Sequence, residues 1–300
     1  MNSICPLCDS SKNKSVGRPK TNSISKNFID NDYKVVQCLN CDVYYVSPRI
    51  SFSEEQWSKL YNNEYFSSQS DWLIKKRAEE LSQRFDKASK YLKGDQISFL
   101  DVGCGEGKSL IEGFKRDWEV TGIDIVDNRI EAAKTGNGNF IVGNFIDQKF
   151  PKNHFDFIYL DSVLEHVLNP KEYLLKIKEI LKIGGVCYIG VPNEDSLFNI
   201  IRKIVFTLLG RNDFSVKIKP FDNPYHIIGF NEKSLKYILN ELDLEIVYLR
   251  NFGRKFDFLS HTPNQRGYWI GLFFLLPIEF IGNMFNKDVY YELLISKKTN

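Results

Sequence analysis

The sequence lacks three features that would tie it to a specialised environment. Its first ten residues, MNSICPLCDS, hold no apolar stretch of signal-peptide length, so we expect a cytoplasmic protein. Its longest uncharged run, residues 267–278, is shorter than the roughly 20 residues that cross a membrane and is interrupted by Pro277, so no transmembrane helix is expected. Forty basic and 38 acidic residues leave a formal charge of +2, and no nucleic-acid partner is expected from that balance.

Cysteine is also scarce, and its placement is uneven. Four of the six cysteines form two Cys-x-x-Cys pairs, Cys5/Cys8 and Cys38/Cys41. In a reducing compartment such pairs bind metal more often than they form disulfides, and four thiolates suit a closed, structural Zn²⁺ site. The stretch DYKVVQCLNCDVYYVSP predicts a hairpin that turns at the second pair. Residues 1–48 are therefore interpreted as a zinc ribbon; four unrelated thiols are the alternative.

The rest of the chain alternates strand-like and helical patterns. Apolar spacing predicts a helix over residues 71–93, ended by Gly94. The strand-like runs that follow are ISFLDV, EVTGIDI, NFIVG, FDFIYLD and GVCYIGV. Helical segments lie between them, of which NPKEYLLKIKEILKIGG is the clearest, with Pro170 near its start and Gly184 at its end. Alternation of this kind predicts an α/β fold with a parallel sheet covered by helices on both faces. We divide the chain into a module (1–48), a linker with a lid and a helix (49–93), and a main domain (94–300) with apolar insertions at about 194–220 and 260–286.

A glycine-rich loop follows the first of these strands, in FLDVGCGEGKS. Its Gly103, Gly105 and Gly107 spacing is neither that of dinucleotide-binding loops nor that of a P-loop. Asp101 directly before the loop would repel a pyrophosphate and attract a cation. The next strand ends in GIDI, which places Asp124 where an acid can accept hydrogen bonds from ribose hydroxyls. The two acids favour a positively charged nucleoside over the alternative of an ordinary tight turn.

These residues resemble the class I S-adenosylmethionine-dependent methyltransferases. LDVGCGEG is similar to the family's first motif, GIDI to its ribose-binding strand end, VGNFID to its adenine-flanking turn, and FDFIYLDSVLEHVLNP to its fourth strand and the segment after it. The resemblance implies a Rossmann-like fold: a doubly wound, mostly parallel seven-stranded sheet whose antiparallel last strand would be DVYYELLISKK. It also implies S-adenosyl-L-methionine as the cofactor.

The resemblance assigns cofactor contacts position by position. Asp101, Gly103 and Gly105 would hold the methionine end, Asp124 the ribose, and Asn144 and Phe145 would border the adenine. The complete expected set is Asp101, Gly103, Cys104, Gly105, Asp124, Ile125, Asn144, Phe145 and Asp161.

A second resemblance concerns the amino-terminal segment. CLNCDVYYVSPR followed by LYNNEYFS is similar to a bacterial methyltransferase group with an amino-terminal zinc ribbon, some of whose members methylate nucleotide-linked sugars. It implies a small-molecule or glycan-precursor acceptor, with methylation of a sugar oxygen or carbon favoured. Tyr61 and Tyr65 would either fold over the cofactor as a lid or pack the ribbon against the main domain.

Histidine, the usual proton acceptor near neutral pH, occurs only four times, as His154, His166, His226 and His261. We expect His226, in DNPYHIIGF, to act as the base, with Tyr225 beside it for positioning; a packing or capping role is the alternative. His166, next to Glu165, is a further catalytic candidate or an architectural residue. His154 lies before the fourth strand, at the end opposite the cofactor, and is expected to be structural.

The apolar insertions leave several interpretations open. EDSLFNIIRKIVFTLLGR and the aromatic run near Trp269 could be buried, cap an apolar substrate, form a dimer contact or touch a membrane peripherally. A lipid or isoprenoid acceptor is therefore an alternative to a sugar. A non-catalytic zinc-ribbon interaction protein on a methyltransferase scaffold is an alternative of another class. The oligomeric state stays open.

Overall fold

The computed structural model describes residues 4–29, 32–60, 71–210, 218–222, 225–253 and 262–298. Its strands are β1 (Asn13–Gly17), β2 (Lys34–Cys38), β3 (Tyr44–Ser47), β4 (Ser98–Val102), β5 (Glu119–Asp124), β6 (Asn139–Val142), β7 (Phe155–Asp161), β8 (Leu181–Pro192), β9 (Ile228–Gly229), β10 (Leu244–Phe252) and β11 (Tyr290–Lys297). Its α-helices are α1 (Glu54–Leu60), α2 (Asp71–Ser89), α3 (Lys108–Phe114), α4 (Glu131–Lys134), α5 (Pro170–Ile180), α6 (Leu197–Leu208), α7 (Glu232–Glu241), α8 (Arg266–Ile270) and α9 (Leu276–Met284), the last two joined by a π-helical turn (Gly271–Leu275). Tyr61, Tyr65 and His261 lie outside the described residues.

The main sheet has seven strands in the order β10-β11-β8-β7-β4-β5-β6. The pairs β8–β7, β7–β4, β4–β5 and β5–β6 are parallel, whereas β11 runs antiparallel to both of its neighbours. This confirms the predicted sheet with its antiparallel last strand. The chain order reverses between β4 and β7, so a crevice opens beyond the carboxyl ends of these strands.

Helix α2 is fixed to one face of this sheet by aromatic packing. The ring of Phe85 lies 5.3 Å from those of both Phe99 and Phe157, and 5.6 Å from that of Trp118, measured between centroids. Each of the three residues comes from the sheet or from the turn before β5, and Phe85 is fully buried among them. Burial of a side chain of this size contributes on the order of 2 kcal/mol. The contact places the polar residue Arg84 at the carboxyl edge of the sheet.

A second sheet joins the amino-terminal segment to the main domain. Its order is β1-β2-β3-β9, and the β2–β3 hairpin turns at Cys38 and Cys41 as predicted. Strand β3 pairs antiparallel with β9, which lies just before α7, with Tyr44 opposite Gly229. The Ser25 hydroxyl also donates to the carbonyl oxygen of Phe221 at 2.8 Å. The cysteine-bearing segment is therefore hydrogen-bonded to the chain around His226.

Three local predictions differ from the structure. Helix α2 ends at Ser89, before the expected stop at Gly94. Helix α5 ends at Ile180 because Leu181 already pairs with Phe155 in the sheet, so pairing outweighs the helical apolar pattern. Pro277 does not interrupt the apolar run, because it lies at the start of α9 directly after the π-helical turn, where its missing N–H is tolerated.

Asn231 caps α7 and also hydrogen-bonds across the junction between the two sheets, so replacing it should lower the stability of the fold. Its side chain accepts from the Ser234 N–H at 2.9 Å, and it donates to the Asp42 carbonyl oxygen at 3.1 Å and to Asp195 at 2.9 Å. We expect Asn231→Ala to lower the free energy of unfolding by about 2 to 3 kcal/mol in urea titrations. Ser196→Ala, which removes only the cap of α6, should cost about 1 kcal/mol. Equal losses would contradict the linking role.

Candidate active site

The glycine loop between β4 and α3 has a left-handed backbone at its three glycines. The φ angles are 74° at Gly103, 50° at Gly105 and 76° at Gly107. A Cβ atom at Gly103 would lie 2.8 Å from Val163 Cγ2, and one at Gly107 would lie 2.6 Å from Ala133 Cβ. A Cβ atom at Gly105 would meet nothing within 4 Å. The outer glycines therefore permit close packing, whereas Gly105 borders open space that a ligand can approach.

Asp101 and Asp124 lie at the ends of neighbouring strands on either side of this loop. Asp101 is 2% exposed, and the Ser109 hydroxyl donates a hydrogen bond to it. Burial raises the pKa of Asp101 to about 8, and repulsion from Asp124 and Asp161 acts in the same direction. Asp124 accepts a hydrogen bond from the Gly105 N–H at 2.8 Å. An incoming cation would be favoured beside such carboxylates, which fits the sulfonium and ammonium groups of S-adenosylmethionine.

A cavity of about 440 Å³ opens beside the loop and under α2. Four of the predicted cofactor residues line it, namely Asp101, Gly103, Cys104 and Asp161. The thiol of Cys104 is almost buried, and burial raises its pKa far above the usual range, so it stays protonated. These lining residues show that the cavity extends from the glycine loop to Asp161 at the end of β7.

The predicted adenine side lies at the ends of β5 and β6. Ile125 is 65% exposed and Val142 is 60% exposed, so two apolar side chains near Asp124 are available to a flat ring. The Asn144 side-chain oxygen accepts from the Ile146 N–H and the Tyr173 hydroxyl, both at 3.2 Å.

Phe145 is placed differently from the other adenine-side candidates. It is 3% exposed, and its ring packs 5.3 Å from that of Tyr173 and 5.9 Å from that of Phe150. The ring thus faces the core, which leaves the backbone of Phe145 as the part available to a ligand. Val142 was not identified from the sequence, although its position opposite Asp124 follows once β5 and β6 are paired.

Arg84 is a further cavity residue that sequence analysis missed. It donates to Asp161 at 2.7 Å and pairs with Glu292 on β11, while the Tyr290 hydroxyl donates to Asp161 at 2.8 Å. Arg84 lies on the apolar stripe of α2, three residues after Leu81. A charged residue on a stripe that faces the core is the sequence signal that could have identified Arg84. The cluster fixes the Asp161 carboxylate at the cavity wall.

Glu165 and His166, on the turn after β7, meet His226, which lies just before β9. Glu165 and His226 are buried, and His166 is half-buried. His226 Nε2 lies 4.0 Å from Glu165 Oε1, and the two imidazole rings are 4.8 Å apart between centroids. Within the described residues, neither carboxylate oxygen of Glu165 has a hydrogen-bond partner. Burial raises the pKa of Glu165 to about 8 and lowers that of His166 to about 4. Three such donors within 4.8 Å of one another could also hold a divalent cation.

Tyr225 and His154 complete the predicted set. The backbone carbonyl oxygen of Tyr225 lies 3.1 Å from His166 Nδ1, whereas its hydroxyl accepts from Asn22 at 3.4 Å. Tyr225 therefore ties the amino-terminal segment to the histidine cluster through its backbone and its ring. His154 lies at the amino end of β7 against the ring of Phe155, at the edge opposite Asp161.

The four amino-terminal cysteines converge. The Sγ atoms are 3.6 Å apart for Cys5 and Cys41 and 3.5 Å apart for Cys8 and Cys38, too far for disulfides. All four lie within 4.8 Å of one another, close to the ~3.8 Å separation that ~2.3 Å zinc–sulfur bonds produce in a tetrahedron. Hydrogen bonds, chiefly from the Cys41 thiol, lower the pKa of Cys5 to about 6. The donor set fits a structural Zn²⁺.

Comparison with known proteins agrees with this geometry. The family described as "Methyltransferase domain" matches residues 73–249. The chain is 30% identical over 140 residues to O-methyltransferase rstn1 of Aspergillus nomiae, covering 41% of this chain and 61% of that protein. It is 26% identical over 195 residues to the ubiquinone biosynthesis O-methyltransferase of Rickettsia typhi, covering 57% and 78% respectively. It thus spans about three fifths of the fungal relative's length.

Solved structures align with this chain at low identity. The [4+2]-cyclase SpnF aligns with a TM-score of 0.50 and 15% identity, over 73% of this chain and 81% of SpnF. A SAM-dependent methyltransferase from Methanosarcina mazei aligns with a TM-score of 0.48 and 22% identity, over 71% and 97%. With the family match across most of the main domain and two acids flanking a glycine loop, the chain belongs to the methyltransferase domain family and is an S-adenosylmethionine-dependent methyltransferase.

Proposed function

We propose that this protein methylates a small molecule or glycan precursor, with a hydroxyl oxygen, such as that of a sugar, as the favoured acceptor atom. The observation that carries the proposal is the buried Glu165–His226 pair, in which Glu165 lies on the turn after β7 and His226 lies just before β9. The names of both curated relatives, O-methyltransferases, support an oxygen acceptor. Sugar carbon methylation belongs to the same proposal, since a carbon acid also has to lose a proton.

The roles of the residues follow from the chemistry of methyl transfer. The reaction is an in-line displacement at a carbon bonded to a sulfonium sulfur, so the protein must align the acceptor and remove its proton. Asp101 and Asp124 would hold the cationic and ribose portions of the cofactor, which supplies the methyl group. His226 would take the acceptor proton, and an ionised Glu165 at 4.0 Å would stabilise the resulting imidazolium.

Cofactor binding should release a proton through Asp101. Its pKa of about 8 means that the free protein holds this proton at pH 7, and a bound cation favours the ionised form. We expect affinity for S-adenosylmethionine to rise about tenfold per pH unit below pH 8 and then level off. Calorimetry in buffers of different ionisation enthalpy measures the release. Asp101→Asn should abolish the pH dependence, and the exposed Asp117→Asn should retain it. A pH-independent wild-type affinity would contradict the assignment.

His226→Gln should reduce turnover by at least 100-fold, because the proton acceptor is lost, while affinity for S-adenosylhomocysteine stays unchanged. The assay is transfer of a labelled methyl group to a panel of nucleotide sugars, phenols and polyprenylated phenols. At saturating S-adenosylmethionine, where the titration of Asp101 no longer limits binding, the rate of the wild type should rise towards pH 8 as Glu165 ionises, and Glu165→Gln should remove that rise. His154→Gln, remote from the cluster, is the matched control. Full activity of His226→Gln with any acceptor would exclude it as the base.

We also propose that Cys5, Cys8, Cys38 and Cys41 hold one structural Zn²⁺ whose loss loosens the segment around His226. The support is the β3–β9 pairing and the contact between Asn22 and Tyr225. Without metal, a module of this size buries too little apolar surface to stay folded.

Metal removal therefore gives a direct test. Metal analysis of the purified protein should find about one zinc per chain. Chelation should lower the melting temperature and accelerate amide exchange in residues 225–231 as well as 34–47, with exchange in β4 unchanged. Cys41→Ser should reproduce the effect, and Cys187→Ala, which changes an isolated buried thiol in the main sheet, should retain the zinc. Unchanged exchange at residues 225–231 after complete metal loss would refute the coupling.

A lipid or isoprenoid acceptor is the second candidate. It is favoured by one observation, the exposed apolar side chains on α6 and on the helical segment 266–284. The polyprenylated phenols in the acceptor panel distinguish it from the sugar proposal.

A further inference from the structure

The helical segment Arg266–Met284 is inserted between β10 and β11. It combines α8, the π-helical turn and α9, and by length and composition it is apolar enough to cross a membrane. Only 11% of its most apolar window is buried in the protein. A helix of this composition in a water-soluble fold normally buries its apolar residues, so the exposure requires an explanation.

The exposed residues of this segment lie on one face. Trp269, Phe273, Phe280 and Met284 recur at helical spacing and are 48%, 63%, 61% and 70% exposed. The residues buried against the protein are the small ones, Gly271 and Gly282. Four large apolar residues are half-buried: Leu272, Leu275, Leu276 and Ile278. The segment is therefore apolar on both sides, and its most exposed apolar side chains lie on the outward one.

Helix α6 packs against α9 and extends the same surface. Its outward positions Ile200, Ile204 and Leu208 recur every four residues and are 40%, 54% and 82% exposed. We call the outward stripes of α6 and of segment 266–284 the apolar face. Its aromatic and aliphatic side chains come from two helices that pack against each other, so the exposed apolar residues are clustered rather than scattered.

The charges around the apolar face are almost all positive. Within 197–210 and 262–287 the exposed charged residues are Lys203, Arg266 and Lys287. Glu279 is the single acid of these two stretches, and one of its carboxylate oxygens is buried. Arg266 begins the helical segment and Lys287 follows its end, so cations stand at both ends of an apolar stripe. This distribution complements an anionic surface.

The attachment of the segment shows how it would meet such a surface. An added Cβ at Gly282 would lie 3.0 Å from the carbonyl oxygen of Lys287, so α9 packs closely on the backbone that follows it. That backbone enters β11 of the main sheet within six residues of the end of α9. Its neighbour α6 lies alongside. A membrane-spanning orientation would detach the helix from both, whereas an orientation parallel to the bilayer retains these contacts and places the outward stripe among the lipids.

We propose that the apolar face docks this protein on the surface of an anionic lipid bilayer, with segment 266–284 lying in the interface. The aromatic stripe would enter the boundary between headgroups and acyl chains, and Lys203, Arg266 and Lys287 would contact the headgroups. The protein would then be a peripheral membrane methyltransferase. The docking does not rest on the identity of the acceptor.

Vesicle flotation of the full chain tests the proposal. The wild type should float with phosphatidylglycerol/phosphatidylcholine vesicles and at least tenfold less with phosphatidylcholine alone. Phe273→Glu/Phe280→Glu should reduce binding to the anionic vesicles at least tenfold, because two charges would enter the apolar boundary. Ile183→Glu, at a 72% exposed position on β8, is the matched control and should bind like the wild type.

A stability control and a charge-reversal variant complete the test. All variants should retain the wild-type melting temperature and affinity for S-adenosylhomocysteine, since the substituted side chains are exposed. Lys203→Glu/Lys287→Glu should weaken binding to anionic vesicles only. Absence of wild-type flotation, equal flotation of Phe273→Glu/Phe280→Glu, or a dimer that this variant dissociates without any vesicle binding would overturn the proposal.

Discussion

The parallel pairing of β4 with β5 and β7 is the constraint on which the active site depends. In this register Asp101 lies opposite Gly122 and Tyr159, so Asp124 and Asp161 each follow two residues beyond their pairing positions. Residues two apart on a strand point to the same face, and three acids therefore gather at one edge of the sheet. A slip of one residue in either pair would turn a carboxylate to the opposite face of the sheet. Register thus sets the electrostatics of the site.

The amino-terminal module depends on the main domain for part of its sheet and part of its core. Its sheet is completed by β9, a two-residue strand contributed by the segment that carries His226. Tyr45 and Phe230, both buried, belong to one core cluster that spans the two parts of the chain. The module consequently contacts the segment that carries His226, and a Zn²⁺ held by the four cysteines would stabilise that segment at a distance from the reacting atoms.

Much of the architecture could be predicted because its signals are local. Strand periodicity, the glycine loop and the acids after β4 and β5 are read from contiguous residues, and the convergence of two Cys-x-x-Cys pairs follows from their spacing. The β3–β9 pairing could not be predicted, since two residues carry no periodicity and the partner is almost 200 positions away. The inward ring of Phe145 and the ion pairs of Arg84 depend on packing between elements, which a single sequence does not encode locally. The helix through Pro277 depends on a π-helical turn that has no sequence signature.

The close approach of Val163 to Gly103 has a mechanical consequence. Since no side chain separates them, the glycine loop and the turn that carries Glu165 rest directly on each other. A displacement of the loop on nucleoside binding would press on Val163 and so on the turn that carries Glu165. The positions of the loop and of the turn are therefore coupled, and a bulkier residue in place of Gly103 would displace both.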